Sequence, residues 1–312
     1  MVRHLRMKPQ DRTILVTGAT GAQGGGTVDA LLAEGFCARA LVRDPRSAAA
    51  CALGDKGVEL AQGNFDDSAS LQAAMQGAYG VFSMQNVSPP DDIGAEVRHG
   101  AKLVEAALAA GVEVFVHTSV ARAGRQTEFV GWSKGRWNEA YWNAKSAVID
   151  LVRASGLPGW VILKPAYMFD NFLPPKVAFM YPSFAGRVIE TAMGPDVRLD
   201  MLSAKDLGRF AAAAFVDSSR FLGEEIDLAA ASVTMPEMAQ YIGEASGHKV
   251  KAIFQQPETL IAKGYLPGVV DNQIWATAEG YRVDLDHAAS FGVPFESPVA
   301  WANRNREHFR FL

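Results

Sequence analysis

The sequence has few cysteines, and their positions exclude the frameworks that cysteines usually build. Only Cys37 and Cys51 occur among 312 residues, and they form neither a short metal-binding pair nor a disulfide scaffold. We therefore expect two buried thiols. The six histidines are scattered, and the nearest approach to a ligand spacing is Glu96 with His99. We interpret that pair as a solvated helix face and predict no metal site.

Long apolar runs and a strong charge imbalance are also absent. The longest apolar runs, such as residues 210–216, are far shorter than the roughly 18 residues that span a bilayer. No apolar stretch follows the polar start of the chain, as a secretory signal would need, so we expect a cytoplasmic protein without a membrane partner. With 30 basic and 34 acidic residues, the chain offers no broad attraction for nucleic acid, and its one basic cluster is residues 1–8.

The apolar residues that are present, 49% of the chain, alternate between short β-branched runs and longer stretches with helical spacing. This alternation is typical of βαβ units around a parallel sheet. It predicts an α/β fold with a doubly wound parallel sheet. Strands are predicted at residues 14–17, 37–43, 58–61, 79–84, 112–118 and 160–163, and helices at about 22–34, 70–76, 96–110 and 137–154.

The pattern changes after residue 165, and this change predicts a second, smaller domain. Residues 166–196 are rich in aromatic residues, prolines and glycines, whereas a helix at 204–216 and a strand at 225–229 return to the sheet. We therefore assign the chain to two domains: a larger one of residues 1–165 and about 197–232, and a discontinuous C-terminal one of residues 166–196 and 233–312.

A glycine-rich loop follows the first predicted strand. Residues 14–26 read ILVTGATGAQGGG, which places Gly18, Gly21 and Gly24 between a strand and a helix. The first glycine permits a tight turn, the second lets backbone N–H groups approach a pyrophosphate, and the third allows helix and strand to pack closely. The helix N-terminus then faces the anion. This spacing predicts a dinucleotide-binding loop, with a flexible surface loop as the alternative.

The end of the second predicted strand selects the dinucleotide. The segment reads LVRDPR, so Arg43 offers a guanidinium that can form paired hydrogen bonds with a 2′-phosphate, and Arg46 is near enough to assist. These residues favour NADP as the cofactor, with NADPH preferred over NADH. Two solvated arginines are the alternative, with Asp44 available to bind a free ribose 2′-hydroxyl.

Tyr141 and Lys145 are four residues apart in the predicted helix after the fifth strand, so their side chains project from one face. A lysine ammonium beside a phenol stabilises the phenolate and prepares the hydroxyl to pass a proton to a substrate oxygen while hydride arrives. The same lysine can hold the nicotinamide ribose. An ordinary amphipathic helix is the alternative.

With these motifs in place, the chain resembles the NmrA-like group of atypical short-chain dehydrogenases/reductases. The resemblance is carried by VTGATGAQG, LVRDP, GNFDD, ILKPAYMFDNF and SAKDLGRFAAAA, together with the helix of Lys145. It implies a Rossmann fold in which Arg43 meets the NADP phosphate and Lys145 the nicotinamide ribose. It also implies that Asn64 and Phe65 lie beside the adenine. The full predicted cofactor set is Thr17, Gly18, Thr20, Gly21, Ala22, Gln23, Gly24, Arg43, Arg46, Asn64, Phe65, Gln85, Thr118, Lys145 and Pro165.

The segment after the fifth strand departs from the serine, tyrosine and lysine set of extended members of this group. Residues 116–120 read VHTSV, which places Val120 at the position of the catalytic serine. Thr118 or Ser119 then substitutes for that serine or lines the cofactor. We take Ser119 as the third member of a candidate catalytic set with Tyr141 and Lys145.

Bulky residues after the sixth predicted strand are the candidates for the substrate pocket. They are set among glycines and prolines, which suits a pocket under a lid formed by residues 174–184. The resemblance implies that Asn171 lies beside this pocket. A plain hydrophobic core is the alternative. The candidates are Tyr167, Phe169, Asn171 and Phe172.

A competing motif lies at residues 131–135, which read GWSKG and match G-x-S-x-G. A strand-like segment at 128–130 precedes it and a helix follows, which imitates a nucleophile elbow. We interpret it instead as a tryptophan-rich loop, because no later histidine stands in a recognisable hydrolase setting.

Two functions follow from these residues. The first is an NADPH-dependent oxidoreductase that transfers hydride to a small apolar carbonyl, quinone or similar electrophile. The alternative is a noncatalytic NADP(H)-binding redox sensor or regulatory protein. Both require small-molecule ligands, and neither separates a monomer from a homodimer.

Overall fold

The computed structural model describes residues 8–309. The basic cluster predicted at residues 1–8 therefore lies, apart from Lys8, outside the described residues. The strands are β1 (Thr13–Val16), β2 (Cys37–Val42), β3 (Glu59–Gln62), β4 (Gly80–Ser83), β5 (Val114–Thr118), β6 (Trp160–Pro165), β7 (Tyr167–Met168), β8 (Val188–Thr191), β9 (Leu199–Leu202), β10 (Glu225–Leu228), β11 (Ala231–Val233) and β12 (Lys251–Phe254).

Helices of two to four turns connect the strands of the first half, and shorter helices dominate the last quarter of the chain. They are α1 (Ala22–Ala33), α2 (Ala48–Gly54), α3 (Ser68–Met75), α4 (Ala95–Ala109), α5 (Glu139–Arg153), α6 (Val177–Met180), α7 (Ala204–Val216), α8 (Ser218–Phe221), α9 (Met235–Ser246), α10 (Pro257–Ala262), α11 (Pro267–Ala278), α12 (Leu285–Ser290) and α13 (Pro298–Arg304).

Seven strands form one sheet in the order β10-β6-β5-β4-β1-β2-β3. The pairs from β6 across to β3 are parallel, with Val16 opposite both Ala40 and Phe82. The strand order runs outward in both directions from β1 and β4, so the prediction of a doubly wound parallel sheet is confirmed. The returning strand is β10, at the edge beside β6.

The chain divides into two compact units. The first contains residues 1–124, 140–164 and 204–226, and it holds the parallel sheet from β1 to β5 with helices α1 to α4 and α7. The second contains residues 125–139, 165–203 and 227–312 and has two small sheets, ordered β11-β9-β7 and β12-β8. The assignment of cofactor binding to one domain and substrate binding to the other stays a prediction.

Close backbone contact between α1 and α7 is a defining feature of the first unit. A Cβ atom added at Gly26 would lie 2.3 Å from the carbonyl oxygen of Ala204, and one at Gly208 would lie 2.1 Å from the carbonyl oxygen of Gly26. Neither distance is compatible with a side chain. Gly26 of α1 and Gly208 of α7 therefore let the two helices touch along their backbones.

Both cysteines are exposed, so the expectation of buried thiols is wrong. Cys37 is the first residue of β2 and lies where that strand emerges from the sheet. Cys51 lies on the outer face of α2, a helix that the sequence analysis did not predict. The sequence of α2, AAACALG, is too short and too uniformly apolar to show a helical period, which concealed both the helix and the direction of its cysteine.

Within residues 8–309, the helices fall short of the length and apolarity that crossing a membrane requires.

Gly208→Ala tests the close crossing of α1 and α7. The new methyl group would meet the carbonyl oxygen of Gly26, and relief requires the two helices to separate. We expect the free energy of unfolding, measured by urea denaturation, to fall by about 1–3 kcal/mol. Gly268→Ala is the control, because a Cβ at that helical glycine meets no atom within 4 Å. Equal stabilities of the two variants would contradict the contact.

Candidate functional site

The glycine loop between β1 and α1 forms a cradle of backbone N–H groups. Gly18 has a φ of +65°, a conformation that favours glycine, and it turns the chain into the helix. Gly21 is the N-cap of α1, and no side chain caps it. A Cβ at Gly24 would lie 2.3 Å from the carbonyl oxygen of Gly18. The first-turn N–H groups of α1 are therefore open to an anion, and a diphosphate fits this cradle.

Thr17 supports the loop from below. Its side chain is fully buried, and its hydroxyl contacts the carbonyl oxygens of Phe82 (3.2 Å) and Met84 (2.9 Å). The backbone N–H of Met84 donates to the same hydroxyl at 2.7 Å. Thr17 thus joins the end of β1 to the end of β4, which is a supporting role for a residue predicted to contact the cofactor. Thr20 is exposed beside the loop.

Gln23 and Thr118 connect the loop with the end of β5. The Thr118 hydroxyl donates to Gln23 Oε1 at 3.1 Å. Two residues that the sequence placed in the cofactor set, 95 positions apart, are therefore in direct contact. The contact fixes the Gln23 side chain in the first turn of α1.

Arg43 follows β2 directly and is exposed. Among the residues that the structure describes, none forms an ion pair with its guanidinium. Asp44 is differently placed, because its Oδ1 accepts from the backbone N–H of Arg46 at 2.9 Å and lies 3.5 Å from Arg46 Nε. The Arg46 side chain is otherwise 93% exposed. The arrangement leaves Arg43 available for an anion while Asp44 caps the turn.

The loop after β3 contains the predicted adenine contacts. Asn64 Oδ1 accepts from the backbone N–H groups of Asp66 (2.8 Å) and Asp67 (3.1 Å), so this side chain shapes the loop itself. The Phe65 ring stacks on the His99 ring of α4, with centroids 5.1 Å apart. His99 lies on the first half of α4, and sequence analysis did not connect it with this loop.

Buried polar side chains meet at the ends of β4 and β5. His117 Nδ1 lies 3.2 Å from both the hydroxyl and the carbonyl oxygen of Ser83. The side-chain amide of Gln85 donates to the Ser83 hydroxyl at 2.9 Å. Burial, with the charge of Lys145 adding to it, lowers the pKa of His117 from 6.5 to about 3. The imidazole is therefore neutral at physiological pH.

His117 was missed as a site residue. The available signal was a histidine in the apolar strand VFVHT, because a titratable side chain in a buried strand needs a partner. Gln85, which belongs to the predicted cofactor set, is buried, and its Oε1 has no hydrogen-bond partner among the described residues.

Lys145 forms an ion pair that the sequence did not predict. Its Nζ lies 2.6 Å from Glu96 Oε1, and the two side chains are 10% and 2% exposed. Glu96 therefore does not belong to a solvated helix face, and that expectation is wrong. Burial raises the pKa of Glu96 above its ordinary value, while the charge of Lys145 opposes the rise. The same Nζ lies 5.7 Å from the ring centroid of Tyr141.

Ser119 directly follows the end of β5. The side chain is buried, and its hydroxyl has no hydrogen-bond partner among residues 8–309. Its backbone N–H donates to the carbonyl oxygen of Leu163, which fixes the segment against β6. Val120, at the expected position of the serine, is also buried.

The substrate candidates lie in the second unit and pack there as aromatic core. The hydroxyl groups of Tyr167 and Tyr181 are 2.9 Å apart, and the rings of Phe172 and Tyr181 stack with centroids 4.7 Å apart. Phe169 packs on Trp301 at 5.4 Å. Burial raises the pKa of Tyr167 well above its ordinary value, so its hydroxyl stays protonated. The plain core therefore accounts for three of the four candidates.

Asn171 and Pro165 are the last two residues of the predicted site. Asn171 is half-buried, and its Oδ1 lies 3.4 Å from Lys176 Nζ. Pro165 is the last residue of β6 and is buried. The remaining cofactor residues and the catalytic set belong to the first unit, whereas Pro165 and the substrate candidates belong to the second.

The G-x-S-x-G segment is a loop. The strand expected at residues 128–130 is absent, because the chain makes a single 3₁₀ turn at Gln126–Glu128. Ser133 has a φ of 60° and follows Gly131, whose φ is 84°. A nucleophile elbow needs a strand leading directly into the serine, so this segment does not form one. The described residues also contain no group of three or more His, Cys, Asp or Glu side chains that could hold a metal ion.

Comparison of the sequence with known proteins finds a matching family and related oxidoreductases. A sequence model described as the NmrA-like family matches residues 10–288. The oxidoreductase ptmS of Penicillium ochrochloron is 31% identical over 180 residues, which cover 55% of this chain and 52% of ptmS. The oxidoreductase hkm9 of Aspergillus hancockii is 28% identical over 78% of this chain and 76% of its own length. The match to ptmS thus spans about half of that relative.

Solved structures with the same fold include two reductases and a regulator. The NADP(H) complex of a triphenylmethane reductase from Citrobacter sp. has a TM-score of 0.74, with 21% identity over 94% of this chain and 99% of that chain. The NADPH complex of a quinone oxidoreductase from Escherichia coli has a TM-score of 0.73, with 20% identity over 93% and 99%. NmrA, a negative transcriptional regulator in complex with NAD, has a TM-score of 0.73, with 20% identity over 94% and 95%.

The neutral state of His117 predicts a pH dependence of stability. Its pKa is lowered to about 3 in the folded protein, so between pH 6.5 and 3 the unfolded chain binds a proton that the folded chain does not. Stability from this group is complete above pH 6.5 and is lost as the pH falls. From pH 7.5 to 5 we expect urea denaturation to show a loss about 2 kcal/mol larger in the wild type than in His117→Gln.

His308→Gln is the control for this measurement, because His308 is exposed on the surface. That variant should keep the full acid-dependent loss. A His117→Gln protein that loses stability over this range as steeply as the wild type would contradict the buried neutral imidazole.

Proposed function

This chain belongs to the NmrA-like family, and on that premise we propose that it is an NADPH-dependent oxidoreductase acting on a small apolar carbonyl, quinone or similar electrophile. The observation that carries the proposal is the N-terminus of α1. It has no side-chain cap, and it follows a glycine loop in which Gly24 has no room for a side chain. The curated relatives ptmS and hkm9 are named oxidoreductases, which supports redox chemistry on this scaffold.

NADP(H) binding uses backbone and side chains of the first unit. The diphosphate would accept hydrogen bonds from the first turn of α1, near Gly21 and Ala22. The guanidinium of Arg43 would pair with the 2′-phosphate, with Arg46 assisting. The hydrogen bond from Arg46 N–H to Asp44 turns that carboxylate toward its own loop, which supports a preference for NADPH over NADH. The NADP(H) complexes of the two reductases with this fold support the same choice.

Lys145 and Tyr141 supply the polar groups for the reaction. When bound, NADPH supplies the hydride. Lys145 would hold a ribose hydroxyl with its ammonium, and Tyr141 would donate its hydroxyl proton to the substrate oxygen as that oxygen gains charge. The proton on Tyr141 is then replaced from solvent, because this side chain is only half-buried. The neutral His117 adds no competing positive charge beside Lys145.

The class of substrate is inferred from reductases with the same fold, because the aromatic substrate candidates Tyr167, Phe169 and Phe172 pack in the core of the second unit. Two proteins with this fold are a triphenylmethane reductase and an NADPH-dependent quinone oxidoreductase, which supports a quinone or similar electrophile as the substrate. The cytoplasmic location and the lack of a nucleic-acid partner stay predictions of the sequence.

A regulatory protein that binds NADP(H) without turnover is the second candidate. The observation that favours it is Ser119, whose hydroxyl is buried, so that the set of serine, tyrosine and lysine is incomplete. NmrA, which shares this fold, is a negative transcriptional regulator. The two candidates differ in one measurement: NADPH oxidation with a panel of quinones, aldehydes, ketones and imines. Binding of NADPH without oxidation by any member of that panel would favour the regulator.

Arg43→Ala tests the cofactor preference. Loss of the charged, paired hydrogen bonds should raise the dissociation constant of NADPH, measured by calorimetry, by about 10- to 100-fold. The dissociation constant of NADH should stay within about threefold of the wild type, since no 2′-phosphate is lost. Arg43→Lys is the matched variant and should fall between the two, because an ammonium lacks the planar pair of donors. Equal losses for both dinucleotides would defeat the assignment.

Tyr141→Phe tests the acid. We expect kcat to fall by about 10²- to 10⁴-fold, because the proton donor is removed while the ring remains. The dissociation constant of NADPH should stay within about twofold, since Lys145 is intact. Tyr241→Phe, a change in α9 of the second unit, should leave both constants unchanged. Unaltered turnover in Tyr141→Phe would exclude the acid role.

A further inference from the structure

The ion pair between Glu96 and Lys145 is nearly excluded from solvent. Nζ and Oε1 are 2.6 Å apart, and the carboxylate side chain is 2% exposed. Glu96 lies in the first turn of α4, far in the sequence from the helix of Lys145. Charged side chains are almost never this buried unless they are paired, so each of these two residues needs the other in order to remain buried.

Close packing of α4 against α5 creates the pair. A Cβ at Gly100 would lie 2.9 Å from Val148 Cγ1, so the two helices are in close contact there. Glu96 is four residues before Gly100, and Lys145 is three residues before Val148, which places both on the facing sides of their helices. The Ser88 hydroxyl accepts the backbone N–H of Glu96 at 3.0 Å and fixes the first turn of α4. The backbone therefore aims the carboxylate at Lys145.

Each member of the pair depends on the other. Glu96 Oε2 is buried and has no hydrogen-bond partner within residues 8–309, so Lys145 alone compensates the burial of this carboxylate. The titratable groups that face Lys145 are Glu96 from α4, His117 from β5 and Tyr141 from its own helix. His117 is neutral and offers no negative charge. Glu96 is therefore the group that keeps a charged ammonium stable at this position.

We propose that Glu96 is a positioning residue for the cofactor: it is the buried counter-ion that holds the ammonium of Lys145 in one place, so that this ammonium can bind the nicotinamide ribose. The inference rests on the proposed function, because it assumes the role of Lys145 given there. Glu96 acts through Lys145 and has no contact of its own with substrate. Its removal leaves a buried ammonium without a counter-ion, which gives up its proton more readily.

The test is calorimetric titration with NADPH from pH 7 to 9 in buffers of different ionisation enthalpy. In Glu96→Gln the ammonium is present at low pH and is lost as the pH rises, so we expect affinity to fall by about tenfold or more over this range. Binding should then be accompanied by proton uptake, seen as a buffer-dependent heat. The affinity of the wild type should change less than about threefold over the same range, without a buffer-dependent heat.

Glu105→Gln is the matched control, because it removes the same charge from an exposed position of α4. It should behave as the wild type. Glu96→Asp keeps the carboxylate and shortens it by one carbon, and it should restore most of the pH independence. In a Lys145→Met background, Glu96→Gln should have no further effect on NADPH affinity, because the group through which it acts is gone.

Three results would overturn the proposal. They are a loss of NADPH affinity in Glu96→Gln that is equal at pH 7 and 9, an affinity in Glu96→Asp that depends on pH as strongly as in Glu96→Gln, and effects of Glu96→Gln and Lys145→Met on affinity that add fully.

A second experiment follows the ion pair without cofactor. It measures the ¹⁵N resonance of the Lys145 amine, which is assigned because it is missing from the spectrum of Lys145→Met. Lys145 should lose its proton at lower pH in Glu96→Gln than in the wild type. If the wild type binds no dinucleotide but the two proteins still differ in this way, the proposed function is refuted, whereas the interaction between Glu96 and Lys145 is not.

Discussion

The close approach of α1 to the backbone around it is the constraint on which the rest of the structure depends. Gly24 lies against the carbonyl oxygen of Gly18, and Gly26 lies against α7, so the first turn of α1 is held close to the loop that follows β1. Its uncapped first turn therefore points over the carboxyl end of the sheet, where β4 and β5 also end. A larger side chain at these glycines would push the helix away and remove the cradle.

Around this cradle the polar side chains mainly support one another. Thr17 joins β1 to β4, and Thr118 joins β5 to Gln23. Behind them, α4 delivers a carboxylate to Lys145. A parallel sheet brings its carboxyl ends together, so residues from distant parts of the sequence converge at one edge. The same geometry concentrates buried polar groups there, and each needs a partner in a region of low dielectric.

The proposed cofactor site and the proposed catalytic set differ in how their side chains are placed. Arg43 is exposed after the end of β2, whereas Ser119 is buried and its hydroxyl has no hydrogen-bond partner among residues 8–309. Under the proposed function, proton transfer would then depend on Tyr141 and on the charge of Lys145, whose counter-ion is Glu96. On this proposal, cofactor binding and turnover rest on different residues, so the fold alone does not decide between a reductase and a regulator.

The sequence by itself determined the strands β1 to β6 of the parallel sheet, the longer helices between them and the glycine loop, because periodicity and backbone freedom are local properties. Tertiary structure alone decided which residues face each other. Glu96 and His99 looked like one solvated face, yet Glu96 is buried against Lys145, and the aromatic substrate candidates proved to be largely core. A helical period states which residues share a face, but the partner of that face depends on the packing of elements far apart in the chain.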